Sequence, residues 1–377
     1  MGPVAIIGVG LIGGSLGLAL RARAGVGQVR GFDPDPAAVA DGLARGAITA
    51  GCGSVADAVV GADAVFVAAP VGMIGDLARE ALAASDEDCV VSDVGSSKGS
   101  VLACLDAVER ERFIGGHPIC GSEHGGVAHA RHDLFAGATY FLTPPPEARP
   151  DLYERLHALV AAIGARPSAI EADVHDRLMA LVSHLPHVIA SALIHQAAAT
   201  APQGREALRS SGPSFVDLTR VAGANPPLWA DILLANREAV IGAIRDQAGR
   251  LLEVEAALAS GDRTWLEAFM QGAARGRARL REAEPEVVVE PWRIVVAMPN
   301  RPGVISDVAT ILGHAHINIE DLSLRSGAGE QAGELSLVVT GRTVADRAAA
   351  LLTERGYGNR IEPVTPTDAA ATRESPS

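Results

Sequence analysis

The chain has 377 residues, 48% of them hydrophobic, which is enough to bury two or three cores. Its formal net charge of −13 sets it against nucleic acid and anionic membranes, and no apolar run in the sequence reaches the length of a membrane span. The first residues enter a strand pattern without a basic segment or cleavage site, and the four cysteines (Cys52, Cys89, Cys104, Cys120) lack CxxC spacing, so a reducing, cytoplasmic setting is expected.

Residues 1–145 alternate short apolar runs (4–8, 29–32, 64–68, 89–92, 113–116 and 139–142) with helical patterns. Strands alternating with helices predict an α/β fold with a doubly wound parallel sheet. The first run leads into Gly8-Val9-Gly10-Leu11-Ile12-Gly13, and Asp33 follows the second run. This is the dinucleotide fingerprint of a Rossmann domain. Gly8 allows the tight turn, Gly10 leaves the pyrophosphate a path to the backbone, and Gly13 lets the helix pack close to the strand. The free N–H groups and positive end of the helix face the phosphates. Asp33 is suited to the ribose hydroxyls and repels a 2′-phosphate, which favours NAD over NADP. Ala69 and Pro70, at the end of the run 64–68, complete the expected cofactor set.

Two clusters follow later strands, where such a sheet takes its ligands. Ser96 lies in Asp93-Val94-Gly95-Ser96-Ser97-Lys98 and faces either nicotinamide or substrate; helix capping is its bland alternative. His117 lies in Gly115-Gly116-His117-Pro118, stiffly held, and is a candidate general base or a loop histidine bonded to backbone. His124, His129 and His132 read as surface residues. Lys98 is the one lysine among 32 basic residues, so no other lysine is available for chemistry. Pro144-Pro145-Pro146 and a short unit through Arg166 close a first domain at residues 1–168.

Residues 169–285 read as all-helical, with Pro186 kinking the first long helix and loops at Pro202-Gln203-Gly204 and Ser211-Gly212-Pro213. Ser183 and His187, four apart, share a helix face. His184 and His187 have a metal-like spacing but lack the glutamate or cysteine partner of a metal site, so no metal is expected. Arg220 offers a bidentate fork for a carboxylate, against a surface pair with Asp217. Trp229 is either a core aromatic or a pocket wall. After a boundary at Glu284–Pro291, residues 291–365 read strand, helix, strand, strand, helix, strand, and residues 366–377 form a polar tail expected to be disordered.

The segments GVGLIGGS, DVGSSK, GGHPICGSEHGG, SHLPH and FVDLTRVAG with a following tryptophan resemble, in composition and order, the prephenate dehydrogenase family, which includes arogenate and cyclohexadienyl dehydrogenases. The resemblance covers roughly residues 1–285, and the third domain resembles an ACT amino-acid-sensing module. It implies NAD-dependent oxidation of prephenate or arogenate at ring C4, with loss of the ring carboxylate as carbon dioxide. By the same resemblance His117 accepts the C4 hydroxyl's hydrogen bond and Ser96 supports it. Arg220 holds a substrate carboxylate, and Ser183, His187 and Trp229 line the pocket. Asn300, Arg301, Gly303, Val304, Asn318 and Ile319 form an effector site for an aromatic amino acid, with tyrosine expected, at a homodimer contact. A β-hydroxyacid dehydrogenase would need a lysine in the helical domain, where this chain has none. A non-catalytic NAD and amino-acid sensor is the rival from another class, and it leaves His117, Arg220, Ser183 and His187 without a purpose.

Overall fold

The computed structural model describes residues 2–121, 125–199, 211–283, 291–298, 304–315, 317, 319, 321–325 and 333–364. Outside them lie the expected loop at Pro202-Gln203-Gly204, His124, the linker from Glu284 to Glu290, Asn300, Arg301, Gly303, Asn318 and the tail. The chain divides into two compact units, Met1–Gly261 and Asp262–Ser377.

The first unit is built on strands β1 (Val4–Ile7), β2 (Val29–Phe32), β3 (Ala50–Gly51), β4 (Ala64–Val67), β5 (Val90–Asp93), β6 (Phe113–Pro118), β7 (Thr139–Thr143) and β8 (Arg166–Ala169). They form one sheet in the order β3-β2-β1-β4-β5-β6-β7-β8. The intervening helices are α1 (Leu11–Arg23), α2 (Pro36–Ala44), α3 (Val55–Val59), α4 (Val71–Ala84), α5 (Gly99–Leu102), α6 (Ala107–Arg112) and α7 (Pro150–Ala162). Both faces of the central strands are covered, which is why these strands read as continuous apolar runs. Val4, Ile6, Ala64, Phe66 and Ile114 pack with Leu16 and Leu20 of α1 and Leu156 of α7. The alternate residues Ala5, Ile7, Val65, Val67 and Val91 pack with Val55 of α3 and Ile74 and Ala78 of α4. The chain order reverses between β1 and β4, both parallel neighbours, and that switch point is where such sheets take nucleotides.

The sheet departs from the expected all-parallel arrangement at one edge. β7 pairs antiparallel with β6, placing His117 opposite Phe141, and β8 runs parallel to β7. Among the described residues the β6–β7 connection carries only the 3₁₀ turn Val127–His129, and an antiparallel neighbour needs no crossover helix. β3 has two residues, and β8 is largely exposed; neither offers the apolar run by which a strand is recognised.

Among the described residues the rest of this unit is helical, as expected. Helix α8 (Ala172–Met179) passes through one π turn (Ala180–His184) into α9 (Leu185–Ala199). The π turn falls just before Pro186, which has no N–H for the carbonyl four residues earlier and crowds it, so the backbone widens there. The 28-residue stretch Ala172–Ala199 is long and apolar enough, by length and composition, to cross a membrane, which corrects the expectation that no such segment exists. The shorter helices Pro213–Thr219 and Pro226–Ala235 lead into the long helix Arg237–Ser260. Leu181, Val182, Val216, Leu218 and Leu234 stand exposed on this helical part.

The second unit contains the helix Arg263–Ala283, where Trp265 stacks on Phe269, and a four-stranded antiparallel sheet. Its strands β9 (Pro291–Met298), β10 (Asp321–Arg325), β11 (Gly333–Thr340) and β12 (Asn359–Pro363) lie in the order β10-β11-β9-β12. Helices Val304–His314 and Arg342–Glu354 pack on it through Val304, Val308, Leu312, Ala345, Ala348 and Leu352. This is the strand-helix-strand-strand-helix-strand order read from the sequence.

Candidate active site

The glycine loop has the geometry that its sequence demands. Gly8 sits at φ +99°, and a Cβ there would lie 2.4 Å from the Ala68 carbonyl oxygen. At Gly13 a Cβ would lie 1.9 Å from the Gly8 oxygen, so only glycine lets α1 start so close to β1. At Gly10 the same test meets nothing within 4 Å, which leaves open space at the N-terminus of α1. No side chain caps that terminus, so its N–H groups stay available for phosphate. The Val9 N–H donates to Asp33 Oδ2 at 2.8 Å, which seats the carboxylate at the mouth of the loop. Ala69 and Pro70 follow β4 beside it, Ala69 half-buried and Pro70 exposed. These residues fit a bound dinucleotide.

Beyond the loop, the carboxyl ends of β5 and β6 are tied together by one buried ammonium. Lys98 is 1% exposed and Asp93 is 0% exposed, and they form an ion pair. Lys98 Nζ also donates to the Gly116 carbonyl oxygen at 2.6 Å, and the Gly116 N–H donates to Asp93 Oδ1 at 3.0 Å. Burial draws the Lys98 ammonium below its ordinary pKa, against the pull of Asp93. His117 is the next residue along β6. Burial holds its imidazole well below the ordinary value, and the Lys98 ammonium pushes the same way. The ring is therefore neutral at pH 7.

His117 is met from α8. Its Nδ1 lies 2.9 Å from His175 Nε2, and His175 Nδ1 lies 2.9 Å from Asp176 Oδ1. Asp176 also accepts from the Lys98 N–H (2.8 Å), the Gly99 N–H (2.8 Å) and the Ser97 hydroxyl (3.2 Å). Burial alone would raise this carboxyl; the hydrogen bonds from His175 and the two N–H groups outweigh it and hold the pKa below the carboxylate range. Asn236 then links Asp176 to the π turn. Its Nδ2 donates to the Asp176 carbonyl oxygen at 2.8 Å and to His184 Nδ1 at 3.2 Å. His184 meets Trp229 edge-on at 6.1 Å, and His187 stacks on Trp229 with ring centroids 3.4 Å apart. His187 Nδ1 lies 3.0 Å from the Ser183 carbonyl oxygen, one turn back.

Comparison with known proteins gives the family. The model described as "Prephenate dehydrogenase, nucleotide-binding domain" matches residues 16–168, and "Prephenate dehydrogenase, dimerization domain" matches residues 171–272. An ACT domain matches residues 292–356. A cyclohexadienyl dehydrogenase from Zymomonas mobilis is 31% identical over 280 residues, 74% of this chain and 96% of that one. The chain belongs to the prephenate dehydrogenase family. A prephenate dehydrogenase from Bacillus subtilis is 29% identical over 327 residues, covering 85% of this chain and 87% of that protein. The crystal structure of the prephenate dehydrogenase from A. aeolicus in complex with hydroxyphenyl propionate and NAD+ superposes with a TM-score of 0.70 at 29% identity, covering 74% of this chain and 98% of that one. NAD is the cofactor of this dehydrogenase fold, and the glycine loop and Asp33 are the residues that fit it.

Among the residues expected for a prephenate dehydrogenase, His117, His187 and Trp229 are joined through His175, Asp176, Asn236 and His184. Arg220 opens the 3₁₀ turn Arg220–Gly223, which packs against α9, the helix that carries His187. Ser183 is half-buried and enters through its backbone carbonyl. Ser96 is half-buried in the β5–α5 loop, and its neighbour Ser97 is the hydroxyl that joins the hydrogen-bond network. Val304 is 2% exposed in the core of the second unit, and Ile319 packs against that core. His129 and His132 are exposed.

Sequence reasoning missed His175, Asp176 and Asn236. His175 and Asp176 sit in a short helix where two adjacent polar residues read as a solvated face. Their partners are 58 and 78 residues away in the chain, so no local spacing signals the contact.

Proposed function

We propose that this chain catalyses the NAD-dependent oxidative decarboxylation of prephenate to 4-hydroxyphenylpyruvate, as a cytoplasmic homodimer. The observation that carries this reading is His117, a neutral, largely buried imidazole at the carboxyl end of a strand in a dinucleotide-binding sheet. Such a ring is unprotonated at neutral pH and so is free to act as a proton acceptor.

The loop from Gly8 to Gly13 holds the pyrophosphate, and Asp33 holds the adenosine ribose. When bound, NAD supplies the two-electron oxidant for ring C4. His117 accepts the proton of the C4 hydroxyl as that carbon becomes carbonyl-like. Ser96 supports the hydroxyl or the imidazole. Arg220 pairs with a substrate carboxylate, and the His187–Trp229 stack with Ser183 forms a flat wall for the ring. Loss of the ring carboxylate as carbon dioxide then sends its bonding pair through the ring to the C4 oxygen, which takes back a proton as the ring becomes aromatic. Arogenate differs from prephenate in carrying an amino group where prephenate has a keto group, and it is the second substrate to measure.

The test is NADH absorbance with each substrate, with wild-type protein and His117→Asn. The variant is expected to lose roughly 10²- to 10⁴-fold in kcat with NAD affinity intact. Near-normal turnover in the variant refutes the role of His117, and a wild-type protein inert toward both acids refutes the reaction. Tyrosine is the proposed effector of the ACT domain, through Asn300, Arg301, Gly303, Val304, Asn318 and Ile319. Titration calorimetry with free amino acids tests it, and no heat up to millimolar tyrosine ends the idea. The exposed Leu181, Val182, Val216 and Leu218 supply apolar surface for self-association, which light scattering measures.

A further inference from the structure

Two groups form a line behind the proposed base His117: His175 and then Asp176. Asp176 receives two backbone N–H groups and the Ser97 hydroxyl, the coordination of an ionised carboxylate. A carboxylate oxygen only accepts, so the hydrogen between it and the facing imidazole sits on His175 Nδ1. In a neutral His175 the other nitrogen, Nε2, is then an acceptor. It faces His117 Nδ1 at 2.9 Å, so the shared hydrogen belongs to His117 Nδ1. Nε2 of His117 is thereby left unprotonated.

We propose that His175 and Asp176 are positioning residues that fix His117 with its hydrogen on Nδ1, and that the His117–His175 pair takes up the substrate proton as a relay. This rests on the reaction proposed above. The O–H bond of the C4 hydroxyl breaks and an N–H bond forms at His117 Nε2. The Nδ1–H bond of His117 breaks and an N–H bond forms at His175 Nε2. The electron pair of the O–H bond stays on the ring oxygen, and the two electrons removed from C4 go to NAD. The positive charge ends on His175 beside Asp176. The charged or titratable groups facing His117 are Lys98, His175 and His184, and those facing His175 are His117, Asp176 and His184. Charge held on His117 sits against Lys98; charge held on His175 is paired with a carboxylate.

The test has two parts. Nitrogen-15 spectra of histidine-labelled wild-type protein at pH 7, assigned with His117→Asn and His175→Gln, report which ring nitrogen carries hydrogen. Nδ1–H on both His117 and His175 is expected, and Nε2–H on His117 overturns the proposal. This reading needs no turnover, so it separates failure of the hydrogen-bond chain from failure of the proposed reaction. The second part is the pH profile of kcat/KM for His175→Gln. The amide oxygen can still accept from His117 Nδ1–H but cannot receive the proton. The variant is expected to bind NAD normally, keep its KM, lose roughly 100-fold in kcat and move its acid limb to lower pH. A loss of activity with the acid limb unmoved assigns His175 a merely structural role and overturns the relay.

Discussion

His184 makes the fold acid-sensitive by an amount that can be worked out. It lies in the π turn, 1% exposed, accepting from Asn236 and edge-on to Trp229. Burial lowers its pKa from 6.5 to about 4, with His175 and His187 adding to the effect and Asp176 opposing it. Between those values an unfolded chain binds a proton at this position and the folded chain does not. Stability therefore rises with pH across the window and is lost as pH falls from about 6.5 to about 4. Each pH unit corresponds to about 1.4 kcal/mol, so lowering pH from 7 to 4.5 removes roughly 2 kcal/mol through this one group. His184→Gln retains an acceptor for Asn236 and has nothing to titrate. Urea unfolding at the two pH values, with Trp265 and Trp292 replaced by Phe so that fluorescence reports Trp229 alone, measures the difference. His117 loses stability in the same direction, but it is common to both proteins and cancels. The expected result is that the wild type loses roughly 2 kcal/mol more than His184→Gln on acidification. Equal losses refute the claim that His184 is buried in its neutral form.

Three further substitutions probe the cofactor loop, the buried ion pair and the proposed carboxylate site. Gly13→Ala places a Cβ against the Gly8 oxygen, so NAD affinity by calorimetry should fall by about tenfold or more; unchanged affinity contradicts the close approach of α1 to β1. Lys98→Met leaves Asp93 buried without its counter-charge, which should cost about 3–5 kcal/mol in urea unfolding, with part recovered by the Asp93→Asn/Lys98→Met pair; equal stability of the single variant and wild type contradicts the buried pair. Arg220→Ala should raise KM for the acid and leave kcat near wild type, and an unchanged KM removes Arg220 from substrate binding.

The nucleotide-binding sheet was legible because its signals are local. A glycine loop, an apolar run and an acid about 20 residues further on each follow from one strand-turn-helix unit. The small sheet of the second unit was legible for the same reason, since its strands and helices switch between period 2 and period 3.6 within short windows. β7 reversed its expected direction because direction depends on how the chain returns, and a strand's own residues do not encode that. The His117–His175–Asp176 line was illegible for a related reason. It joins a strand end, a loop and a helix through hydrogen bonds, and hydrogen bonds between distant segments leave no period in the sequence.

Lys98 shows how such a connection nevertheless constrains the residues that can be read. Its ammonium bridges β5 at Asp93 to β6 at Gly116, immediately before His117. The N–H groups of Lys98 and Gly99 hold Asp176, which orients His175 against the same imidazole. His117 is thus fixed from the sheet by the side chain of Lys98 and from the helical part by its backbone. Space around this bridge is tight: a Cβ at Gly116 would lie 2.5 Å from the Asp93 carbonyl oxygen, and one at Gly115 would lie 3.1 Å from Lys98 Cδ. A planar guanidinium is wider than an ammonium and needs more partners. In a chain whose other Lys/Arg positions are all arginine, the single lysine stands where a fully buried cation fits between two strand ends.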